Sequence, residues 1–105
     1  MGMSVQTVKK QGAGYNAQKM GKLEEAEPLI REAVSAKREV NGSTHESTLR
    51  SIYNLARLLK EMGRVEEAIP LFREELEGMR EVNGPRHADT LSALNNLASL
   101  LQDKG

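Results

Sequence analysis

Two histidines are the residues best suited to acid–base or metal chemistry in this chain of 105 residues, which contains no cysteine. His45 and His87 lie 42 positions apart, and each follows an Asn-Gly pair by three residues. The matching neighbours indicate that both histidines lie in copies of the same connection between helices. We therefore expect their side chains to lie one repeat apart rather than to share a metal ion. The interpretation we favour is that each histidine begins a helix and bonds to the backbone of the turn.

Three adjacent glutamate pairs are the next candidates for chemistry: Glu24-Glu25, Glu66-Glu67 and Glu74-Glu75. Neighbouring positions on a helix point about 100° apart, so such pairs do not converge as catalytic carboxylates must. The sequence also has no glycine-rich phosphate loop after a strand and no Ser–His–acid set. We therefore predict a protein that is not an enzyme and that uses no metal and no cofactor.

One narrow polar arc remains as a candidate site. It is centred on Asn54 when residues are placed at about 100° per position, and a later helix repeats it. We predict that the arc binds a peptide through Ser47, Arg50, Asn54, Arg57, Asp89, Ser92, Asn96 and Ser99. A merely solvated face is the alternative, since Glu46 and Glu61 lie four residues from Arg50 and Arg57 and could pair with them within the helix.

The elements that carry this arc belong to an internal repeat of 42 residues. Residues 38–42 are identical to residues 80–84, and comparing residues 21–63 with 63–105 gives 22 identities in 43 positions. Self-similarity at a fixed period indicates a repeat architecture. Gly21, Gly63 and the two Asn-Gly pairs separate runs whose apolar residues recur every three or four positions, which predicts helices joined by short turns.

The predicted fold is therefore all-α, an α-solenoid of about five antiparallel helices in two and a half repeats. We expect one domain over residues 1–105, with repeat 1 at about 4–42, repeat 2 at about 43–84 and a half repeat at about 85–105. The opening helix fits its copies poorly because Gly12 and Gly14 weaken it. We expect it to be frayed, or to start near Ala13.

The punctuating residues resemble those of a tetratricopeptide repeat. A small residue (Gly14, Ala56, Ala98) precedes the inter-helix glycine by seven positions, and an alanine follows that glycine by five. The long period, with Asn-Leu-Ala in the first helix and an Asn-Gly-x-x-His link, resembles the kinesin light chain and nephrocystin-3 type of repeat. The resemblance implies a concave groove that binds extended peptides, with Asn54 and Asn96 contacting the peptide backbone.

Composition favours a protein partner over a nucleic acid or a membrane. Fifteen basic residues balance fifteen acidic ones, and aromatic residues make up only 3% of the chain, so neither a basic field nor a stacking platform is present. No apolar run approaches the roughly 18 residues of a membrane span, and we expect no signal peptide in residues 1–11. We expect a cytoplasmic scaffold or adaptor that binds a peptide segment of its partner.

The last helix suggests an alternative function. Four leucines, Leu94, Leu97, Leu100 and Leu101, lie on it, and the preceding helices cannot cover all of them. This pattern favours a homodimer, formed through the C-terminal helix or by exchange of the weak N-terminal helix. The alternative is therefore a structural module that self-assembles, or a designed or truncated repeat array.

Overall fold

Four helices account for the part of the chain that the computed structural model describes, residues 3–104, with side chains described from residue 19 onward. They are α1 (Met3–Asn41), α2 (Glu46–Glu61), α3 (Val65–Asn83) and α4 (Ala88–Lys104), and these residues include no strand. Helix α1 packs on α2, α2 on α3, and α3 on α4. The predicted all-α solenoid is confirmed.

Glycine occupies the three places where the backbone must leave the helical region. The φ angle is +89° at Gly42, +80° at Gly63 and +87° at Gly84. Residues with a Cβ rarely adopt this left-handed conformation, which glycine reaches without steric cost. The predicted turns at these positions are confirmed.

Gly21 is the exception, and here the prediction of five helices is wrong. Helix α1 runs through Gly21 without a turn, so the structure has four helices over its described range. A helical hairpin is stable only when its two arms bury an apolar face. Thr7, Gly14 and Ala17 stand where the copy on α2 has large or buried apolar residues, so the first arm gains little by folding back.

The start of helix α1 also differs from the expectation. It begins at Met3 rather than near Ala13, and its 39 residues correspond to about 58 Å of helix. The side chains of residues 3–18, including Gly12 and Gly14, lie outside the described part, and so does the inter-helix glycine expected at Gly105. Fraying of the first helix thus stays a prediction.

The two histidines begin helices, as predicted. His45 is the N-cap of α2, and its Nδ1 accepts a hydrogen bond of 3.0 Å from the backbone N–H of Ser47. His87 repeats the contact before α4, where its Nδ1 accepts from the backbone N–H of Asp89 at 3.0 Å. Each ring satisfies one of the donors that a helix leaves free at its N-terminus.

Buried threonines connect the start of a helix to the end of the helix before it. The Thr48 hydroxyl donates to the carbonyl of Lys37 over 3.2 Å, and the Thr90 hydroxyl donates to the carbonyl of Met79 over the same distance. Both threonines are at most 2% exposed. The start of α2 is thereby bound to the end of α1 in the same way as the start of α4 is bound to the end of α3.

Helix α2 is the centre of the core, because α1 covers one of its sides and α3 covers another. Its apolar residues that are at most 3% exposed are Leu49, Ile52, Leu55, Ala56 and Leu59. Burying one large aliphatic side chain stabilises the fold by about 1.5–3 kcal/mol. Helix α2 therefore packs on two partner helices.

Gly78 lets α2 and α3 approach closely. A Cβ on Gly78 would lie closer to a terminal methyl group of Leu49 than real Cβ atoms lie to their neighbours. Gly78 is buried and Leu49 is 1% exposed, so neither has free space to move into. The glycine weakens the helix locally, but it allows Leu49 to pack directly on the α3 backbone.

An ion-pair network joins α1 to the beginning of α3. Glu27 accepts hydrogen bonds from Arg31 and from Arg64, each 2.5 Å long, and Arg64 also pairs with Glu67 at 2.6 Å. A fourth contact of 3.1 Å, between Arg31 and Glu67, closes the network. The pKa of Glu27 is lowered, chiefly by the hydrogen bond from Arg31 and then by that from Arg64.

Candidate peptide-binding groove

A groove lies between α2 and α4, with α3 as its floor. One part is a depression of about 240 Å³ lined by Tyr53, Arg57, Lys60, Glu61, Phe72 and Asn96. The other part is a depression of about 190 Å³ lined by Tyr53, Glu75, Met79, Asp89, Ser92 and Asn96. Because both parts share Tyr53 and Asn96, they adjoin, and together they are called the α2–α4 groove below.

The middle of the groove is aromatic. The rings of Tyr53 and Phe72 lie 6.2 Å apart at an interplanar angle of 72°, which is an edge-to-face arrangement. Phe72 is only 3% exposed, whereas Tyr53 is half-buried. Aromatic pairs in this geometry attract one another, so Phe72 holds the Tyr53 ring as a firm apolar surface within the groove.

Glu75 is a carboxyl buried in the floor of the groove. It is 6% exposed, and its Oε1 accepts no hydrogen bond from any described residue. Burial raises the pKa of Glu75 to about 7, because removal from water disfavours the charged form. A buried polar atom without a partner normally costs free energy, which makes this position unusual in an otherwise regular repeat.

Charge divides the groove into two ends. Arg57 and Lys60 lie at one end, where Glu61 pairs with Arg57 at 3.4 Å. Glu75 and Asp89 lie at the other end, and no Lys or Arg lines that part. The groove can therefore accept an extended segment whose two ends differ in charge, with apolar groups between them.

The structure brings only part of the predicted arc together. Four predicted residues line the α2–α4 groove: Arg57, Asp89, Ser92 and Asn96. Asn54 instead lines a depression of about 280 Å³ between α1 and α2, beside Leu23 and Ile30, which shares Arg57 and Glu61 with the groove. Ser47, Arg50 and Ser99 line neither place, although Arg50 and Ser99 are exposed. Peptide binding by the eight residues stays a prediction.

The two arginines of the arc have partners on their own helix. Arg50 pairs with Glu46 at 3.1 Å and Arg57 with Glu61 at 3.4 Å, both across one helical turn. The expected pairing of these charges within the helix is therefore present in the structure. Exposed pairs of this kind are weak, so a partner carboxylate could still displace Glu61 from Arg57.

Sequence reasoning missed two parts of the groove, namely Tyr53 of α2 and the α3 floor of Phe72, Glu75 and Met79. A signal was present at one of these positions. Glu75 occupies the place of Ala33 in the first repeat, and a carboxyl on the buried side of a helix breaks the pattern of its copy. The aromatic pair has no such signal, because ring contact depends on how α2 and α3 pack.

The described residues contain neither a cluster of metal ligands nor a membrane-spanning helix. In residues 19–104, no group of three or more His, Asp or Glu lies close enough to hold a metal ion. No helix within the described range is long and apolar enough to cross a membrane. Action without a cofactor and a cytoplasmic location stay predictions.

Comparison with known proteins identifies the family. The sequence model described as tetratricopeptide repeat matches residues 7–81 and again residues 52–105. No curated protein matches the chain significantly. The crystal structure of BtubC (BKLC) from P. vanneervenii superposes with a TM-score of 0.73 at 24% identity, over 80% of this chain and 33% of that protein, so the chain spans about a third of that protein's length. The chain belongs to the tetratricopeptide repeat family.

Proposed function

We propose that this chain is a non-catalytic interaction module that binds an extended peptide segment of a partner protein in the α2–α4 groove. The observation that carries the proposal is the groove itself, with an aromatic centre, polar walls and opposite charges at its ends. Tetratricopeptide repeats generally mediate protein–protein interaction, which supports the class of function.

The repeated asparagine supports the position of the site. Asn96 lines the groove beside Phe72, and Asn54 lines its depression beside Ile30. Ile30 and Phe72 are copies of one repeat position, so each asparagine lies next to the same apolar position of the preceding helix. An amide in this place can donate to and accept from a peptide backbone, as the kinesin light chain type of repeat also suggests.

A matched pair of variants on α4 tests the proposal. Peptides are first selected on the wild type from a random-sequence display library, and their affinities are measured by fluorescence anisotropy. Asn96→Ala should weaken binding by about 1–2 kcal/mol, because a hydrogen bond to the peptide backbone is lost. Asn95→Ala is the control, since Asn95 is exposed and lines no part of the groove.

The selection also defines how the proposal fails. Enrichment of no peptide, or equal affinity of the wild type and a folded Asn96→Ala, would overturn it. Circular dichroism of each variant separates loss of binding from loss of fold. The same selected peptides provide the probe for Asn54→Ala, which reports whether the depression between α1 and α2 extends the site.

Self-assembly is a second candidate function, favoured by an apolar stripe on α4. The α4 stripe consists of Leu91, Leu94, Ala98 and Leu101, all exposed. Leu91 and Leu94 are 46% and 42% exposed, whereas their copies on α2 are at most 1% exposed because α3 covers them. Nothing within the described residues covers the α4 stripe.

A second copy of the chain offers a fitting surface. The α1 stripe consists of Leu29, Ala33, Ala36 and Val40, which are exposed, with Leu29 at 66%. It corresponds to the face of α3 that packs on α2, and Ala36 is the copy of Gly78, the position on which Leu49 packs. The α4 stripe of one copy and the α1 stripe of another can therefore recreate the α2–α3 pairing.

A further inference from the structure

Glu75 is the one groove residue whose presence the fold does not explain. The first repeat has Ala33 at this position, which is exposed on α1, whereas the fold buries Glu75. Replacing a small apolar residue with a buried acid costs free energy unless the acid is paired. Glu75 is 6% exposed, and no described group donates to its Oε1.

The surroundings of Glu75 define what could pair with it. Tyr53 of α2 and Asp89 of α4 face the same depression, and Ser92 and Asn96 complete its wall. The ring of His87 lies 3.8 Å from the carboxylate of Asp89 and is positive only when protonated. Two acids without a Lys or Arg in this part favour a positively charged ligand that donates hydrogen bonds.

We propose that Glu75, with Asp89, receives a lysine or arginine side chain of the bound peptide segment. This inference rests on the proposed function, and it adds that the α2–α4 groove selects partners with a basic residue at one fixed position. The cation would provide the donor that Glu75 Oε1 lacks within the protein. Charge-assisted hydrogen bonds of this kind are roughly twice as strong as neutral ones.

The test compares the peptides that three proteins select from one random-sequence display library. The proteins are the wild type, Glu75→Gln and, as a control, Glu81→Gln, which removes an exposed carboxylate from the same helix. Peptides selected by the wild type and by Glu81→Gln should share a basic residue at one position. Peptides selected by Glu75→Gln should lack that preference.

Synthetic peptides then measure the preference. Replacing the shared basic residue with norleucine should weaken binding to the wild type by about tenfold or more, and should change binding to Glu75→Gln by less than about twofold, because the variant has no carboxylate to pair. Equal loss with both proteins would overturn the inference. Selected peptides without a shared basic position would also overturn it while leaving the proposed function intact, whereas failure to select any peptide would overturn both.

The pH dependence gives an independent readout. A cation binds the ionised carboxylate, so the affinity of the wild type for the basic peptide should rise as pH increases through about 7. Asp89 and His87 are unchanged in Glu75→Gln, so the part of the rise that this variant loses belongs to Glu75. The same pH profile in the wild type and in Glu75→Gln would contradict the assignment.

Discussion

Burial of Glu75 affects the stability of the free protein as well as its binding. In the folded chain the pKa of Glu75 is about 7, against an ordinary value of 4.5. Between these values the folded state holds a proton that the unfolded state has released. The free energy of unfolding should therefore fall as pH rises through this window, and the full penalty should be present above pH 7.

We expect Glu75→Gln to remove that fall. The variant should gain stability over the wild type as pH rises above 7, by on the order of 2 kcal/mol, since a neutral amide replaces a buried charge. Urea unfolding followed by circular dichroism at several pH values measures the difference. An unchanged difference between variant and wild type from pH 4.5 to above 7 would show that Glu75 is well solvated.

Other carboxyl groups change the free energy of unfolding in the opposite direction, and they do so at lower pH. Hydrogen bonds from arginines lower the pKa of Glu27 and of Glu67, so their stabilisation is present above the ordinary pKa and is lost as pH falls. The variant and the wild type share this loss of stability in acid. It therefore cancels when Glu75→Gln is compared with the wild type.

At the scale of residues, the sequence predicts contacts between side chains that lie close together along the chain. The histidine caps and the pairs of Arg50 with Glu46 and Arg57 with Glu61 depend on residues within one helical turn, and these were accessible to prediction. The role of Glu75 depends on burial between three helices. Its difference from Ala33 was visible, but the absence of a partner was not.

Among the elements, α1 shows that one glycine position can serve two structures. Gly63 has a φ of +80° in a turn, while its copy Gly21 lies within a continuous helix and has no positive φ. A Cβ on Gly21 would meet nothing within 4 Å. The neighbouring sequence therefore decides whether the hairpin forms, rather than the glycine itself.

The two alanine variants should have opposite effects. Gly21→Ala should stabilise the chain by about 0.5–1 kcal/mol because alanine favours an exposed helix interior. Gly63→Ala should destabilise it by about 1–2 kcal/mol because alanine resists positive φ. Urea unfolding of both variants checks the pair, and loss of stability in Gly21→Ala would indicate that the chain needs a turn there.

The ends of helices were predictable where a glycine follows a helix that has an apolar face to bury. The turns at Gly42, Gly63 and Gly84 follow arms that bury apolar residues, such as Val34 on α1, Leu59 on α2 and Leu76 on α3, and the structure has them where the repeat places them. At Gly21 the glycine is present but the apolar arm is not. The predicted turn at Gly21 relied on the repeat period alone, and it is absent because the first arm has too little apolar surface to pack.

In the whole molecule, the α1 and α4 stripes lie on opposite outer helices. If α4 of one copy packs on α1 of the next, association continues head to tail and does not close as a two-fold dimer would. Sedimentation equilibrium of the wild type should then show a series of oligomers that grows with concentration. A monomer of 11.6 kDa at all concentrations would overturn self-assembly.

Two substitutions separate head-to-tail pairing from pairing of α4 with α4. Leu29→Lys removes the α1 stripe and Leu94→Lys removes the α4 stripe, and both side chains are exposed in the free chain. Each variant alone should be monomeric. An equal mixture should form a dimer, since each variant retains the surface that the other lacks. Association of Leu29→Lys by itself would point to a two-fold α4 interface instead.

Among the described residues, each helix packs closely only on its neighbours in sequence, and only side-chain ion pairs join α1 to α3, which has a mechanical consequence. Stability is then approximately a sum over the three interfaces between successive helices, so either end can open while the rest stays folded. For the same reason, α2 and α4 can move relative to one another about α3. A peptide in the groove would bridge these two helices, which do not otherwise pack on each other. The bound peptide would restrict the relative motion of α2 and α4, and part of its binding free energy would offset the conformational entropy that the protein loses.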